Sequence, residues 1–335
     1  MYKIIVAMSL TTIKHGMKSG VKRLKKMHQL NVKMKSTIIS GKEISEKILQ
    51  DLKTKVDYHT HEMLNRAPKL VVITIGEDPA SKVYVRNKEK ACEKVGILFE
   101  NIRFTEKDPY TSITMQLLNV IKSGDVDGMI IQLPIVSNVL TDLEKQKICE
   151  LVPDSLDVDG FGVRSKIAVY EGCKDKEAFY PCTPSGILKI LDEAEEQQKS
   201  IDSTFSYTGL NALVIGRSDI VGKPVANMLM ARNMTVTIAH SKTPIDELRK
   251  AVVDSDVIVS AVGKELPVAT MYAKAFIIID VGMNRDKDGK LCGDLAEDWK
   301  ATNSMYYTPV PGGVGPMTVC MLMSNVVKSY LKSIK

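Results

Sequence analysis

Short unbroken apolar runs alternate along this chain with longer stretches whose apolar residues recur every three to four positions. Lys69-Leu70-Val71-Val72-Ile73-Thr74-Ile75 runs into Gly76, and Gly128-Met129-Ile130-Ile131-Gln132-Leu133 runs into Pro134. Such runs, lacking polar alternation, predict strands covered on both faces. A helical pattern covers Glu43 to Val56. A second spans Pro79 to Val95, opened by Asp78 as N-cap with proline at the first helical position and stopped by Gly96. Beyond Pro184 the pattern predicts a helix over Ser185 to Glu195 and a polar, linker-like stretch over Glu196 to Tyr207. Strands follow over Asn211 to Ile215, Thr235 to Ala239, Val257 to Ala261 and Phe276 to Val281, spaced by helix-length segments. Met317 to Ile334 closes the chain as one amphipathic helix. The fold class is therefore α/β: two α/β domains on parallel sheets with crossover helices, the second Rossmann-like.

A length of 335 residues with 44% hydrophobic and 26% charged residues suits two domains of ordinary size, and excludes a disordered or collagenous chain. No apolar run approaches the roughly 20 residues of a spanning helix, so no membrane partner is expected. The formal charge of +6 is misleading, because residues 1–35 carry nine Lys or Arg and no acid. Without those nine charges the remaining chain is at −3, which gives no basic footprint for nucleic acid. Two readings of the tail stay open: a mitochondrial transit peptide, or an extension upstream of a later start at Met8, Met17, Met27 or Met34. Six cysteines without a C-x-x-C pair fit a reducing compartment, so a cytoplasmic location is expected, mitochondrial if the tail is a transit peptide. The five histidines form no H-E-x-x-H helix, and no metal is expected.

Two places carry chemistry. Leu213-Val214-Ile215-Gly216-Arg217-Ser218 through Val221-Gly222-Lys223-Pro224 reads as strand, glycine turn and helix, a geometry that offers free N–H donors to a pyrophosphate. About 20 residues on, where an NAD site places an acid against the ribose 2′-hydroxyl, stands His240-Ser241-Lys242-Thr243. With Arg217, Ser241 and Lys242 there in place of a carboxylate, the expected cofactor is NADP. The alternative is an ordinary turn with solvated charges. On the helix after Asp78, Tyr84, Lys88, Ala91, Cys92 and Val95 share one stripe, expected to face inward with Lys88 as its central cation. Lys88 is then either a proton-transfer group beside Tyr84 or a lysine that snorkels to solvent. Gln132 and Pro134 at a strand end, and Asp157 and Asp159 in a turn, add polar groups where open sheets bind ligands, although paired turn carboxylates more often only shape loops.

Together these segments resemble the bifunctional methylenetetrahydrofolate dehydrogenase/cyclohydrolase family from about residue 37 to the C-terminus. The resemblance rests on Tyr84-Val85-Arg86-Asn87-Lys88, Ile131-Gln132-Leu133-Pro134, Asp157-Val158-Asp159-Gly160-Phe161, Pro181-Cys182-Thr183-Pro184, the Gly216 to Pro224 turn, and Thr308-Pro309-Val310-Pro311-Gly312-Gly313-Val314-Gly315-Pro316-Met317-Thr318. It implies oxidation of 5,10-methylenetetrahydrofolate by NADP and hydrolysis of the methenyl product to 10-formyltetrahydrofolate. It also implies a homodimer built through the cofactor domain, and a cleft between a folate domain (36–184) and a cofactor domain (185–310), with residues 311–335 returning to the first. By the same resemblance Lys88 transfers protons, with Tyr84 and Gln132 tuning it. Asp159 bonds the pterin, and Leu133, Pro311, Gly312 and Gly313 line the folate site. Thr183 and Thr318 approach the nicotinamide, while Gly216, Arg217, Ser218 and Ser241 hold the rest of the cofactor. The chain departs from the family pattern at Leu156, where lysine is common, and over Gly162 to Val169, which puts cleft contacts there in doubt. Ser241 stands where NAD-using mitochondrial relatives carry arginine. The rival readings are another two-domain NADP oxidoreductase of shikimate or amino-acid dehydrogenase type, and a non-catalytic nucleotide-sensing protein.

Overall fold

The computed structural model describes residues 36–267 and 271–334; the basic segment 1–35 lies outside them. The first elements are β1 (Thr37–Ile38), α1 (Gly41–Asp57), a π-helical turn (Tyr58–Glu62), β2 (Lys69–Ile75), α2 (Pro79–Val95), β3 (Leu98–Phe104), α3 (Tyr110–Ser123), β4 (Gly128–Ile131), α4 (Asp142–Glu150), α5 (Val163–Tyr170) and α6 (Cys182–Lys199). There follow β5 (Asn211–Ile215), α7 (Gly222–Ala231), β6 (Thr235–Ala239), α8 (Ile245–Val253), β7 (Val257–Ser260), β8 (Ala275–Asp280), the short pair β9 (Asn284–Arg285) and β10 (Leu291–Cys292), α9 (Glu297–Asn303), β11 (Ser304–Tyr307) and α10 (Val314–Ser333). The described residues divide into two compact units, one made of 42–186 with 316–334, the other of 187–315 with 36–41.

In the first unit a parallel sheet has the order β3-β2-β4. The central strand is sealed on both faces, as its unbroken apolar run requires: Leu70, Val71, Val72 and Ile73 have no exposed surface. One core gathers Val71, Ile73 and Ile75 with Ile113 and Leu117 of α3, Met129 of β4 and Ile148 of α4. The C-terminal helix joins this unit through Met317, Met323, Val327 and Tyr330, all fully or almost fully buried, with the Cys92 thiol 3.5 Å from the Met323 sulfur.

The second unit is a six-stranded, all-parallel sheet in the order β1-β11-β8-β7-β5-β6. The chain goes from β5 outward to β6 and then crosses back to β7, so the strand order reverses between β5 and β7. Doubly wound sheets bind ligands beyond the carboxyl ends of the strands at such a switch point.

Three sequence expectations change here. Residues 36–41, expected in the folate domain, supply β1 to the sheet of the second unit, where Thr37 pairs with Tyr306 and Ile38 with Tyr307. Ile39, 1% exposed, and Ser36, whose hydroxyl shares its proton between the Ala301 and Ser304 carbonyl oxygens, hold it there. The helix expected over Ser185 to Glu195 runs from Cys182 to Lys199. The linker-like stretch ends in structure: Tyr207 is buried, donates its hydroxyl proton to the Leu191 carbonyl at 2.8 Å, and packs with Phe205 against Phe276.

Candidate functional site

Helix α2 begins and ends as its sequence dictates. The Asp78 carboxylate accepts the Ser81 N–H at 2.7 Å, a bond that holds this carboxyl below its ordinary range, and Gly96 closes the helix in the left-handed region. The buried face comprises Ser81, Val85, Ala91, Cys92 and Val95, with Lys88 half-buried between them. Tyr84, expected on that stripe, is 38% exposed, because Val85 rather than Tyr84 turns to the core. The phenol sits at the rim, its pKa raised first by partial burial and then by the negative charge of Asp78.

The Lys88 ammonium donates to the Gln132 side-chain oxygen at 2.9 Å. Gln132 is 8% exposed, just beyond the last residue of β4, and its amide nitrogen donates to the Leu133 carbonyl at 2.8 Å. Ser81 donates to the same carbonyl at 3.2 Å, so both elements meet at the half-exposed Leu133. A cation is thus aimed at the carboxyl end of a parallel strand by a fixed neutral acceptor.

Asp157 shapes the neighbouring turn. Its carboxylate accepts the N–H groups of Gly162 (2.6 Å), Gly160 (3.2 Å) and Phe161 (3.3 Å), and the Ser165 hydroxyl lies at 3.5 Å. Burial raises its pKa, although these N–H donors pull the other way. Asp159, half-buried, is left to face other groups. One of them is the thiol of Cys182, which is fully buried at the start of α6 and also within 3.4 Å of the Val158 carbonyl. Burial first, then Asp159, push that thiol far above its ordinary range, while the Lys88 charge opposes them. The next residue, Thr183, places its hydroxyl 3.0 Å from that of Thr318. Lys88, Gln132, Asp159, Thr183 and Thr318 all belong to the first unit. Two members of this region escaped sequence reasoning: Cys182 as a neighbour of Asp159, and Asn325, which donates to the Val158 (2.8 Å) and Tyr180 (3.2 Å) carbonyls. An asparagine within an amphipathic helix carries no local sign of such a partner.

In the second unit Gly216 follows β5 with φ +128°, and a Cβ there would run into the Ala261 carbonyl oxygen just past β7. Only glycine lets the two loops of the switch point approach so closely. The Ser218 hydroxyl accepts from the N–H groups of Val221 (3.2 Å) and Gly222 (3.3 Å) at the start of α7, which leaves its own proton for an anion. The Gly216 N–H donates to the Ala239 carbonyl at 2.9 Å, bringing the glycine turn beside the end of β6. There His240 to Thr243 form a tight turn, closed by the Thr243 hydroxyl accepting from the His240 N–H at 2.9 Å. Arg217, Ser241 and Lys242 are exposed around it, and residues 239–243 offer no carboxylate. The donor set fits an anionic 2′-phosphate rather than a bare ribose hydroxyl.

The loop after β11 begins at the fully buried Thr308, whose hydroxyl accepts the Asp280 N–H at 2.9 Å. Pro311 is exposed, Gly312 adopts φ +103° and Gly313 is buried. Lys300, Glu297, Asp280 and Asp294, which hold the loop's base, were not singled out from the sequence. Among the described residues no group of three or more His, Cys, Asp or Glu could hold a metal ion.

Residues 39–159 match the model of the tetrahydrofolate dehydrogenase/cyclohydrolase catalytic domain, and residues 181–334 that of the NAD(P)-binding domain of the same family. The bifunctional protein FolD of Enterococcus faecalis is 39% identical over 302 residues, 89% of this chain and 99% of that protein. Among solved structures, the bifunctional FolD methylenetetrahydrofolate dehydrogenase/cyclohydrolase of Campylobacter jejuni superposes with a TM-score of 0.77 at 34% identity, covering 89% of this chain and 99% of its own. The FolD enzyme of Trypanosoma brucei, complexed with NADP and an inhibitor, superposes with a TM-score of 0.76 at 26% identity, over 90% and 99% of the two chains.

Proposed function

The chain belongs to the tetrahydrofolate dehydrogenase/cyclohydrolase family, and from that premise we propose how its own residues divide the two reactions. It is an NADP-dependent bifunctional enzyme, oxidising 5,10-methylenetetrahydrofolate to the methenyl cation and hydrolysing that cation to 10-formyltetrahydrofolate. NADP, when bound, supplies the hydride acceptor. The unit built around β2 carries the folate chemistry, and the unit built around β5 binds the cofactor.

Lys88 is the proton carrier of the hydrolytic step. The Gln132 oxygen holds one ammonium hydrogen at 2.9 Å, and this is the observation that carries the assignment. Gln132 fixes the direction of the Lys88 side chain without neutralising it, so Nζ can pass a proton between attacking water and a ring nitrogen of the opening adduct. Tyr84, one turn earlier on the same helix, helps to position Lys88 and tune its protonation. Asp159 accepts from the pterin N–H groups, Leu133, Pro311, Gly312 and Gly313 contact the folate, and Thr183 and Thr318 orient the nicotinamide end. Gly216 leaves room for the pyrophosphate, while Arg217, Ser218 and Ser241 hold the ribose and its 2′-phosphate.

The test is a spectrophotometric assay with methylenetetrahydrofolate and NADP, run on the native chain and on Lys88→Met. The native chain should reduce NADP and clear the methenyl absorbance; the variant should accumulate methenyl product while still reducing NADP. Full clearance by the variant would remove Lys88 from the proton-transfer role.

A homodimer through the cofactor unit is part of this reading. It is supported by β6, an edge strand with Thr235, Thr237 and Ile238 exposed and, among the described residues, one side without a partner strand. Light scattering on the eluting protein would give the mass directly. A cytoplasmic location, with neither membrane nor nucleic acid as partner, completes it. No described helix is long and apolar enough to cross a membrane, and the described cysteines are all unpaired.

A further inference from the structure

Lys300 lies on α9, and its ammonium is 0% exposed. All three of its hydrogens have acceptors: Glu297 Oε1 at 2.6 Å, the Thr308 carbonyl oxygen at 3.0 Å and Asp280 Oδ2 at 3.4 Å. The Tyr307 ring lies 5.9 Å from the same nitrogen. Each acceptor belongs to a different piece of backbone. Asp280 ends β8, Thr308 opens the loop after β11, and Glu297 also accepts the Val310 N–H of that loop at 3.0 Å.

Asp280 is itself fully committed. It accepts the N–H groups of Asp294 and Leu295 at 2.9 Å and of Gly282 at 3.0 Å, and a Cβ on Gly293 would collide with its carboxylate. Asp294 continues the chain of contacts, accepting the Ser260 hydroxyl at 2.9 Å and the Val262 N–H at 2.8 Å past β7. A buried lysine with every hydrogen engaged cannot rotate away from its partners at small cost. The first residues of the Thr308 to Gly313 loop are therefore fixed from below by one side chain, although the loop carries two glycines in succession and exposes Pro311.

We infer that Lys300 is a positioning residue for the folate-binding loop, holding Thr308 to Val310 so that Pro311, Gly312 and Gly313 are ordered before substrate arrives. This rests on the reading that the loop contacts folate. Lys300 touches neither substrate nor cofactor in this role; it removes the ordering cost that a free loop would take out of binding.

The test uses the full chain and measures both activities. The cyclohydrolase assay, with methenyltetrahydrofolate as the added substrate, requires no NADP and so reads the folate side alone. Lys300→Met is expected to raise the KM for methylenetetrahydrofolate and for methenyltetrahydrofolate by the same factor, about tenfold or more, with the KM for NADP within about twofold of native. Glu297→Ala, at the half-exposed edge of the cluster, should raise the folate KM values by a smaller factor in the same pattern, and it decides the matter if Lys300→Met does not fold. Assays are run well below each variant's thermal transition. Unchanged folate KM values, or equal rises for folate and NADP, would overturn the positioning role. Failure of the native chain to turn over methylenetetrahydrofolate would instead overturn the functional reading itself.

Discussion

The Lys88 ammonium and the Gln132 amide oxygen are 2.9 Å apart, and they come from α2 and the end of β4, 44 residues apart in the chain. Because the acceptor is neutral, the lysine is oriented without being locked into an ion pair. Gln132→Met keeps length and packing but removes the acceptor. We expect it to cut the cyclohydrolase rate about tenfold or more, less than the roughly 10² expected for Lys88→Met. Decay of the methenyl absorbance measures both, and a native rate in Gln132→Met would show that the bond does not orient the lysine.

Arg217 stands exposed at the glycine turn beside the end of β6. If its guanidinium meets the 2′-phosphate, Arg217→Ala loses a charge-assisted bond of about 1.5 to 3 kcal/mol, which is roughly a 10- to 150-fold rise in the KM for NADP. The KM for NAD, which lacks that phosphate, should hardly move. Steady-state kinetics with both cofactors decide it, and equal weakening would place Arg217 on the pyrophosphate or on the turn alone.

Asp157 offers a pH test of the turn that carries Asp159. Burial raises its folded pKa above the ordinary value of 3.8, so the folded state holds this proton more tightly than the unfolded chain does. Its contribution to stability therefore falls as pH rises from 3.8 through the folded value and stays at its lower level above it. Asp157→Asn cannot titrate and cannot accept all the same N–H groups, so it should lose about 1 to 3 kcal/mol. The advantage of the native chain over this variant should shrink with rising pH across that window. Urea denaturation at a series of pH values measures the difference, and an advantage that grew with pH would reverse the sign.

Where strands are long, apolar and central, the sequence was enough to find them. β2, β5, β7 and β8 lie within a residue of their expected ends, because a strand sealed on both faces must be apolar throughout; β6, an exposed edge strand, also has its expected ends, marked by its β-branched residues. α2 was bounded by Asp78 and Gly96, whose capping chemistry is local. The motif residues at the carboxyl ends of β4 and β5 were legible for the same reason: each follows its strand directly. β11 was missed, because Ser304 to Tyr307 is four residues long and is defined by the strands beside it. β3 was also missed: it lies at a sheet edge and mixes Glu100 and Arg103 with apolar residues. The Lys300 cluster had no local sign at all. In Glu297-Asp298-Trp299-Lys300 the charges read as the wet face of a short helix, and the burial of Lys300 comes from Asp280 and Thr308, which are remote in sequence or beyond the helix end.

The same lack of local signal makes β1 the sharpest test of the domain boundary. Thr37 and Ile38 pair with Tyr306 and Tyr307 across nearly the whole length of the chain, and Ile39 fills the adjoining core while its N–H donates to the Tyr307 carbonyl at 2.9 Å. A chain begun at Ser36 retains all of these contacts and is expected to keep fold and activity. One begun at Gly41 loses the edge strand and the buried Ile39 side chain, whose removal alone compares with large-to-small core changes of about 2 to 5 kcal/mol. Its urea midpoint should therefore fall clearly below that of the chain begun at Ser36. The loss should also weaken NADP binding before folate binding, since β1 belongs to the sheet that carries the Gly216 turn. Equal midpoints for the two chains would mean that the strand is an ornament on the sheet edge, and that the boundary belongs after it.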